Sequence, residues 1–364
     1  MNLEVARKEL SRVRVDRSEA PALGVGQVRL RIEGFALSTN NITYAVYGDV
    51  LRYWEFFPPT PGSRDEWGRI PVWGFAEVVE TRSPDTESGE RLFGYYPMSS
   101  ELVIDAGRAD ERGVSDVAPH RAEMAGAYSR YVRCATDPVY RADREDHQML
   151  LYPLFFTAFV IDDFLVDNES FRSGQIVVSS ASSKTAIGVA HLARRRGARV
   201  VGLTSPGNRA FVEDIDVFDE VHTYDDIEQV DVTPSVYIDI TGDRDVLYAV
   251  HRRLDGVLGH SMTGGGTHWA HHAAVAAVDV PPPAPVFFFA PSQIAKRTRE
   301  WGRGELDRRM GSACDHFDVW VDGWIDFRHA QGPDGVTDVY HQLLAGHPDP
   351  RAGYICSLVD RSPA

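Results

Sequence analysis

The stretch from Gln175 to Leu203 constrains this chain more than any other part of it. A short apolar run, Gln175–Ser179, leads through a serine-rich turn into Ala186, Ile187, Val189, Ala190, Leu192 and Ala193, which recur at helical spacing. Arg194, Arg195 and Arg196 fall in the last turn of that helix, where cations suit the helix dipole, and Gly197 supplies the stop. Arg199–Leu203 then reads as a buried strand. Strand, turn, helix, strand is the βαβ unit of a parallel sheet.

The unit repeats in form. A helix is predicted over Arg209–Ile215, a short strand at Glu220–His222, a strand at Ser235–Ile240 and a helix over Asp243–Leu254. Val257–Met262 and Val286–Phe289 complete about six strands. They are apolar runs, as expected of strands covered on both faces. The first 150 residues read differently, as strands and turns: Val28–Ile32 alternates apolar and polar, and Val72–Val79 and Arg91–Tyr96 follow turns. A basic helix is predicted around Ile294–Trp301 and a last strand at Tyr354–Leu358. At 364 residues the chain is too long for one small core.

The formal net charge of −15 argues against a nucleic-acid surface, which needs clustered Lys and Arg. Cys134, Cys314 and Cys356 are far apart in sequence, so neither a disulfide framework nor a cysteine-rich zinc site is expected; this fits a reducing cytoplasm. Glu4, Arg7, Lys8 and Glu9 stand where a signal peptide needs an apolar stretch. The apolar run Leu150–Ile161 is about half the length needed to span a bilayer, so a soluble protein with a buried core segment there is expected, with no membrane partner.

The turn Ser179–Ala186 lies where a dinucleotide-binding turn belongs. Such a turn needs small residues, so that backbone approaches the pyrophosphate, and a helix N-terminus aimed at the anion. Ser180, Ser182, Ser183 and Thr185 meet the size requirement and add hydroxyls, and Lys184 adds a cation. A serine-rich turn before a helix is also what a simple N-cap looks like; the succession of βαβ units favours cofactor binding. At the end of the next strand NAD-binding folds carry an acid for the ribose hydroxyl. Here Thr204, Ser205 and Arg209 stand instead, a set suited to a ribose phosphate, which favours NADPH.

On these residues the chain resembles the medium-chain dehydrogenase/reductase superfamily, in its zinc-free quinone oxidoreductase and enoyl reductase branch. The superfamily's glycine-rich turn and following helix lay without gaps onto Ser180–Gly197, and its strand-end tyrosine matches Tyr224. Further likeness lies in Gly26–Arg31, Leu37–Tyr44, Pro71–Val79 and Gly353–Asp360, nearly end to end. More narrowly, Ser182–Ala186 and Phe289–Lys296 resemble a bacterial and fungal subfamily of unknown function. The sequence departs from the superfamily at every glycine of the phosphate turn, where Ser180, Ser183, Lys184 and Ala186 stand.

The resemblance implies an α/β fold, a Rossmann-type doubly wound parallel sheet over 157–287 with a β-rich, barrel-like (GroES-like) catalytic domain from 1–156 and 288–364. It implies NADPH-dependent reduction of a carbonyl or an activated carbon–carbon double bond in the cleft between them, without zinc. Tyr44 and Tyr47 are the candidate proton donors, with Asn40 and Asn41 as positioning groups. Thr263 and Gly264 match the loop that passes the nicotinamide, and Thr241, after strand Ser235–Ile240, completes the cofactor set. Phe287–Phe289 are core strand, with one ring beside the nicotinamide. His268, His271 and His272 have helical metal-ligand spacing but read as a surface cluster. The aromatic segment Tyr53, Trp54, Phe56, Phe57 and Trp67 fits ordinary packing, an apolar substrate such as an acyl thioester, or the contact of a homodimer. The rival readings are a degenerate member that binds a ligand or partner without redox chemistry, and a lyase or cyclase on the same fold.

Overall fold

The computed structural model describes residues 1–359 apart from 20, 51, 61, 264–279 and 347. It divides into two compact units, Met1–Leu150 with Ile325–Ala364, and Leu151–Trp324.

In the first unit, strands β1 (Asn2–Ala6) and β2 (Glu9–Asp16) form a hairpin that β4 (Trp67–Gly68) extends. The principal sheet is organised by β3 (Gln27–Leu37). Its first half pairs with β7 (Glu101–Asp110) and its last residues pair with β17 (Ala352–Ser357), while its other edge carries β5 (Pro71–Thr81). Strands β6 (Arg91–Pro97), β8 (Gly113–Asp116) and β9 (Arg130–Arg133) complete the circuit from β5 to β7, closing the sheet into a barrel, and β16 (Asp326–Gln331) flanks β17. The alternation expected at Val28–Ile32 is realised, with Val28, Leu30 and Ile32 buried. Gly74 is needed where β5 crosses β3: a Cβ there would lie 2.3 Å from the Gly34 carbonyl oxygen. Helix α1 (Thr39–Val46) follows β3, and α2 (Glu145–Leu150) lies against β3, β5 and β17.

The second unit opens with α3 (Tyr152–Asp167), which contains most of the apolar run seen in the sequence. Six parallel strands follow in the order β12 (Glu220–Thr223), β11 (Arg199–Thr204), β10 (Gln175–Val178), β13 (Ser235–Asp239), β14 (Leu258–Thr263) and β15 (Val286–Phe287). This is the doubly wound order, with the reversal between β10 and β13. Helices α4 (Lys184–Arg195), α5 (Arg209–Asp214) and α6 (Arg244–Arg253) connect the strands. α3 and α4 pack closely because Gly188 has no side chain: a Cβ there would lie 2.8 Å from the Ala158 Cβ and 3.1 Å from the Phe155 ring.

Helices α7 (Ala290–Trp301) and α8 (Arg303–Val321) belong to this unit, so its limits are 151 and 324 where the sequence suggested 157 and 287. The reason is packing. Arg297, nearly buried, pairs with Asp163 at 2.7 Å and Asp167 at 3.0 Å on α3, and Phe317 of α8 stacks on Phe155 at 4.2 Å. Nothing in the apolar periodicity before Phe289 announces those charged anchors. Helix α9 (Gly332–Leu344) lies in the first unit, where the Tyr340 hydroxyl donates to the Leu10 carbonyl at 2.8 Å.

Between α3 and β10, residues Glu169–Arg172 wind left-handed for a whole turn, with φ of 50°, 47°, 53° and 56°. Such backbone costs an L-residue about 1–2 kcal/mol per residue, so packing must hold it. The Phe171 ring lies flat on His260 at 4.0 Å and 4°. Gly259 admits the turn, since a Cβ there would meet Ser173 Oγ at 2.9 Å and the Phe171 carbonyl oxygen at 3.1 Å.

His191 on α4 is buried against Phe317 and Trp320, with Nε2 unpartnered among the described residues. Burial, with Arg195 and His316 nearby, pushes its pKa down to about 4 from 6.5. Between those values the unfolded chain takes up a proton that the folded chain refuses, so stability falls as pH drops. The loss is about 3 kcal/mol. His191→Leu should remove that part of the pH dependence of urea unfolding between pH 6.5 and 4. Gly188→Val should lower stability by about 1–3 kcal/mol through overpacking, read as a shift of the urea midpoint at unchanged slope.

Candidate functional site

The end of the parallel sheet that carries the predicted turn is built where β10 and β13 diverge. Ser179, fully buried, donates its hydroxyl proton to the Asp239 carboxylate at 2.9 Å. The same oxygen accepts the N–H groups of Ile240 at 2.9 Å and Thr241 at 3.2 Å. Asp239 also receives the Tyr237 hydroxyl and the Gly242 N–H. Burial pushes the Asp239 pKa up, and these donors hold it back. Sequence reasoning placed Ser179 at the start of the turn without a role and missed Asp239; the signal was an acid within the apolar run Ser235–Ile240.

The turn that follows brings several predicted residues together. Ser180 takes a left-handed conformation, φ 53°, a region that favours glycine. Its N–H donates to the Tyr224 hydroxyl at 3.1 Å, with the Thr241 side chain beside the same phenol. Ala181 turns into the sheet against Gly202, where a Cβ would lie 2.9 Å from that of Ala181. The close approach that the turn no longer obtains from its own glycines is therefore supplied by β11. Ser183 caps α4, accepting the Ala186 N–H at 3.2 Å. Ser182 accepts the Asn208 amide N–H at 3.0 Å, another contact that the sequence did not flag. The backbone N–H groups of Ser182 and Thr185 have no protein acceptor among the described residues, and both residues are part-exposed. Lys184 opens the helix. Small side chains, unengaged N–H donors and a helix start fit a dinucleotide pyrophosphate.

On the ribose side the residues separate. Thr204 is buried and its hydroxyl faces no partner among the described residues, so it is not offered to a ligand. Ser205 is part-exposed. Arg209 is exposed but is held by Glu213 at 2.8 Å and Asp226 at 3.7 Å. Thr263 ends β14, mostly buried, and its carbonyl accepts the Phe288 N–H at 3.0 Å. Gly264, His268, His271 and His272 lie outside the described residues. Among those described, no group of three or more His, Cys, Asp or Glu side chains is placed to hold a metal ion.

In the first unit, α1 carries the other predicted residues. The Tyr44 hydroxyl accepts the Asn40 amide N–H at 2.7 Å. Asn41 is buried, and its carbonyl accepts the Ser38 N–H at 2.8 Å while its amide donates to the Pro71 carbonyl at 2.9 Å. It clamps the start of α1 to β5, as a capping residue does. Tyr47 closes the helix, half-buried.

Tyr44 is buried in an aromatic cluster that the sequence did not assemble, with Tyr53 at 4.4 Å, Tyr95 at 6.0 Å, and Phe56, Phe57, Trp73 and Tyr128 around them. Burial pushes the phenols of Tyr44, Tyr53, Tyr95 and Tyr128 upward, so they remain protonated donors. The aromatic segment at Tyr53–Trp67 is thus core: all five of its named rings are buried, and Trp54 fits only because Gly48 and Gly68 lack side chains.

With this geometry in view, the family is decided by a match over residues 35–349 to the family described as protein of unknown function (DUF2855). The chain belongs to that family. No curated protein matches it. Among solved structures it is similar to CurA from Vibrio vulnificus in complex with NADPH, at 14% identity and TM-score 0.59, covering 96% of this chain and 95% of that one. It is also similar to a quinone oxidoreductase from Coxiella burnetii, at 13% identity and TM-score 0.57, covering 98% of each. A third is the mitochondrial 2-enoyl thioester reductase heterodimer from Candida tropicalis, at 10% identity and TM-score 0.54, covering 98% of this chain and 100% of that one. At these identities the likeness establishes the fold, a barrel-like sheet with a Rossmann-type parallel sheet, as the sequence led us to expect. No single helix among the described residues is long and apolar enough to cross a membrane.

Tyr224→Phe tests the turn. It leaves the Ser180 N–H without its acceptor, which should cost about 1–2 kcal/mol of stability and raise the hydrogen-exchange rate of the Ser180 amide. Unchanged exchange there would show that the phenol does not hold the turn.

Proposed function

We propose that this chain is an NADPH-dependent reductase of a carbonyl or an activated carbon–carbon double bond, acting on a small apolar substrate, with an acyl thioester included in the class. The observation that carries this reading is the turn Ser180–Thr185. It opens a helix at the reversal of a doubly wound sheet, with the N–H groups of Ser182 and Thr185 unengaged among the described residues and no carboxylate at the end of β11. In such sheets ligands bind outside the carboxyl ends of the strands at that reversal.

When bound, NADPH supplies a hydride to the polarised carbon. The second unit holds the pyrophosphate through the Ser182 and Thr185 N–H groups and Lys184, and the ribose phosphate through Ser205 and Arg209. Arg209 exchanges Glu213 and Asp226 for the phosphate, a charge-assisted pairing of the same kind. Tyr224 and Thr241 fix the floor of the turn. In the first unit Tyr47, half-exposed at the open end of α1, gives its phenolic proton to the atom that gains charge. Tyr44 works through Asn40: its sealed hydroxyl takes the Asn40 amide N–H, which orients that amide.

The reading of Thr204 as a ribose-phosphate contact is not carried forward, because its hydroxyl is buried. The rival, a non-redox binding protein, is favoured by the loss of the turn's own glycines, and the same experiment judges it. Titration with NADPH and NADH, followed by fluorescence and thermal shift, should show tighter binding of NADPH. Lys184→Ala and Arg209→Ala should each weaken NADPH about tenfold, or about 1.4 kcal/mol, and Arg209→Ala should leave NADH unchanged. Tyr47→Phe should keep nucleotide affinity while turnover of an enone or quinone falls about a hundredfold or more. Binding of neither nucleotide would refute the reductase and leave the non-redox reading.

A further inference from the structure

The second unit contains a cavity of about 540 Å³ bounded by α3, β14, β15 and α7, away from the turn described above. That volume is in the range of pockets for small ligands. Its walls are predominantly apolar, with Phe164, Met262 and Phe288 among them. Besides the exposed Ser292 hydroxyl, a histidine ring and a guanidinium in this lining have no partner among the described residues. His260 lies against the Phe171 ring and beside Phe164, and neither of its ring nitrogens has a hydrogen-bond partner among the described residues. Its ring is fixed from behind by Phe171, delivered by the left-handed turn. Burial lowers its pKa, so the ring is neutral and offers one donor and one acceptor.

The second group is Arg299, exposed on α7. Its neighbours in the lining are already committed: Glu300 pairs with Arg297 and faces Lys296 at 3.7 Å, and Lys296 pairs with Asp167. Arg299 has no carboxylate within ion-pairing distance among the described residues, in a chain whose net charge is −15. A cation left over at the edge of an apolar cavity selects for an anion with an apolar body. A second cation has no unpaired acid there to meet.

We infer that this cavity is a binding site for a small apolar monocarboxylate, its body against Phe164, Met262 and Phe288 and its carboxylate at Arg299. His260 serves a polar substituent on the body. The site uses none of the residues assigned to the pyrophosphate or the ribose phosphate; it shares the Phe287–Phe289 segment that the resemblance places with one ring beside the nicotinamide, and the NADPH arm of the test separates the two. Alkyl and aryl acids share this chemistry, and the test separates them.

The full chain would be titrated calorimetrically with octanoate and with 2-naphthoate, alone and with saturating NADPH. Saturable binding of either acid, undisturbed by NADPH, is expected, and which acid binds tells chain from ring. Octanamide should bind about tenfold more weakly than octanoate, and Arg299→Gln should cost the acid the same factor. Ser292→Trp, at an exposed lining position on α7, should abolish binding by filling the cavity mouth. Arg299→Gln is a surface change and still decides the matter should the Trp variant fail to fold. The inference is overturned by no saturable binding of either acid, by binding that both variants leave unchanged, or by displacement of the acid with NADPH.

Discussion

A carboxylate buried at the end of a parallel sheet must be satisfied where it sits, because leaving it unpaired away from water costs several kcal/mol. Asp239 is in that position, and the donors it recruits determine the geometry around it. One is the hydroxyl of Ser179, whose oxygen in turn takes two backbone N–H groups of the strand opposite. The ends of β10 and β13 are thereby fixed to each other at the point where strand order reverses. Everything that follows β10, from the Ser180 turn to the start of α4, is aimed by that fixture.

The turn itself shows how a glycine-poor sequence can keep a glycine-rich geometry. Ser180 accepts a left-handed backbone and is held there by Tyr224, while Gly202 on the adjacent strand gives Ala181 the room that a turn glycine would have given. Gly188, one helical turn further on, does the same for the contact of α4 with α3. The close approach is met here by glycines on the adjacent strand and helix rather than in the turn itself.

How much of this was legible in the sequence depended on whether a feature is local. The βαβ units, the strand at Val28–Ile32 and the helix ending at Gly197 are written in periodicities of two and 3.6 residues, which depend only on near neighbours. Ser180, Tyr224 and Thr241 were each named as candidates, and the fold brings them together. Thr204 and Asn41 carried the same promise as polar residues beside a turn or helix. What sets them apart is burial of the Thr204 hydroxyl in one case and the use of Asn41 to tie α1 to β5 in the other. Neither condition can be read from residue type.

The sequence by itself determined the fold class, the place of the serine-rich turn and the α1 segment that carries the tyrosines, because each follows from apolar spacing and backbone preference along a short stretch. Only the tertiary structure decided that α7 and α8 join the parallel-sheet unit through Arg297 and Phe317. It alone gathered Tyr44, Tyr53, Tyr95 and Tyr128 into one buried cluster and left Arg299 without an acid beside an apolar cavity. The physical reason is the same throughout. Burial, desolvation and ion pairing are set by which distant segments come to lie within a few ångströms, and that is a property of the packed chain.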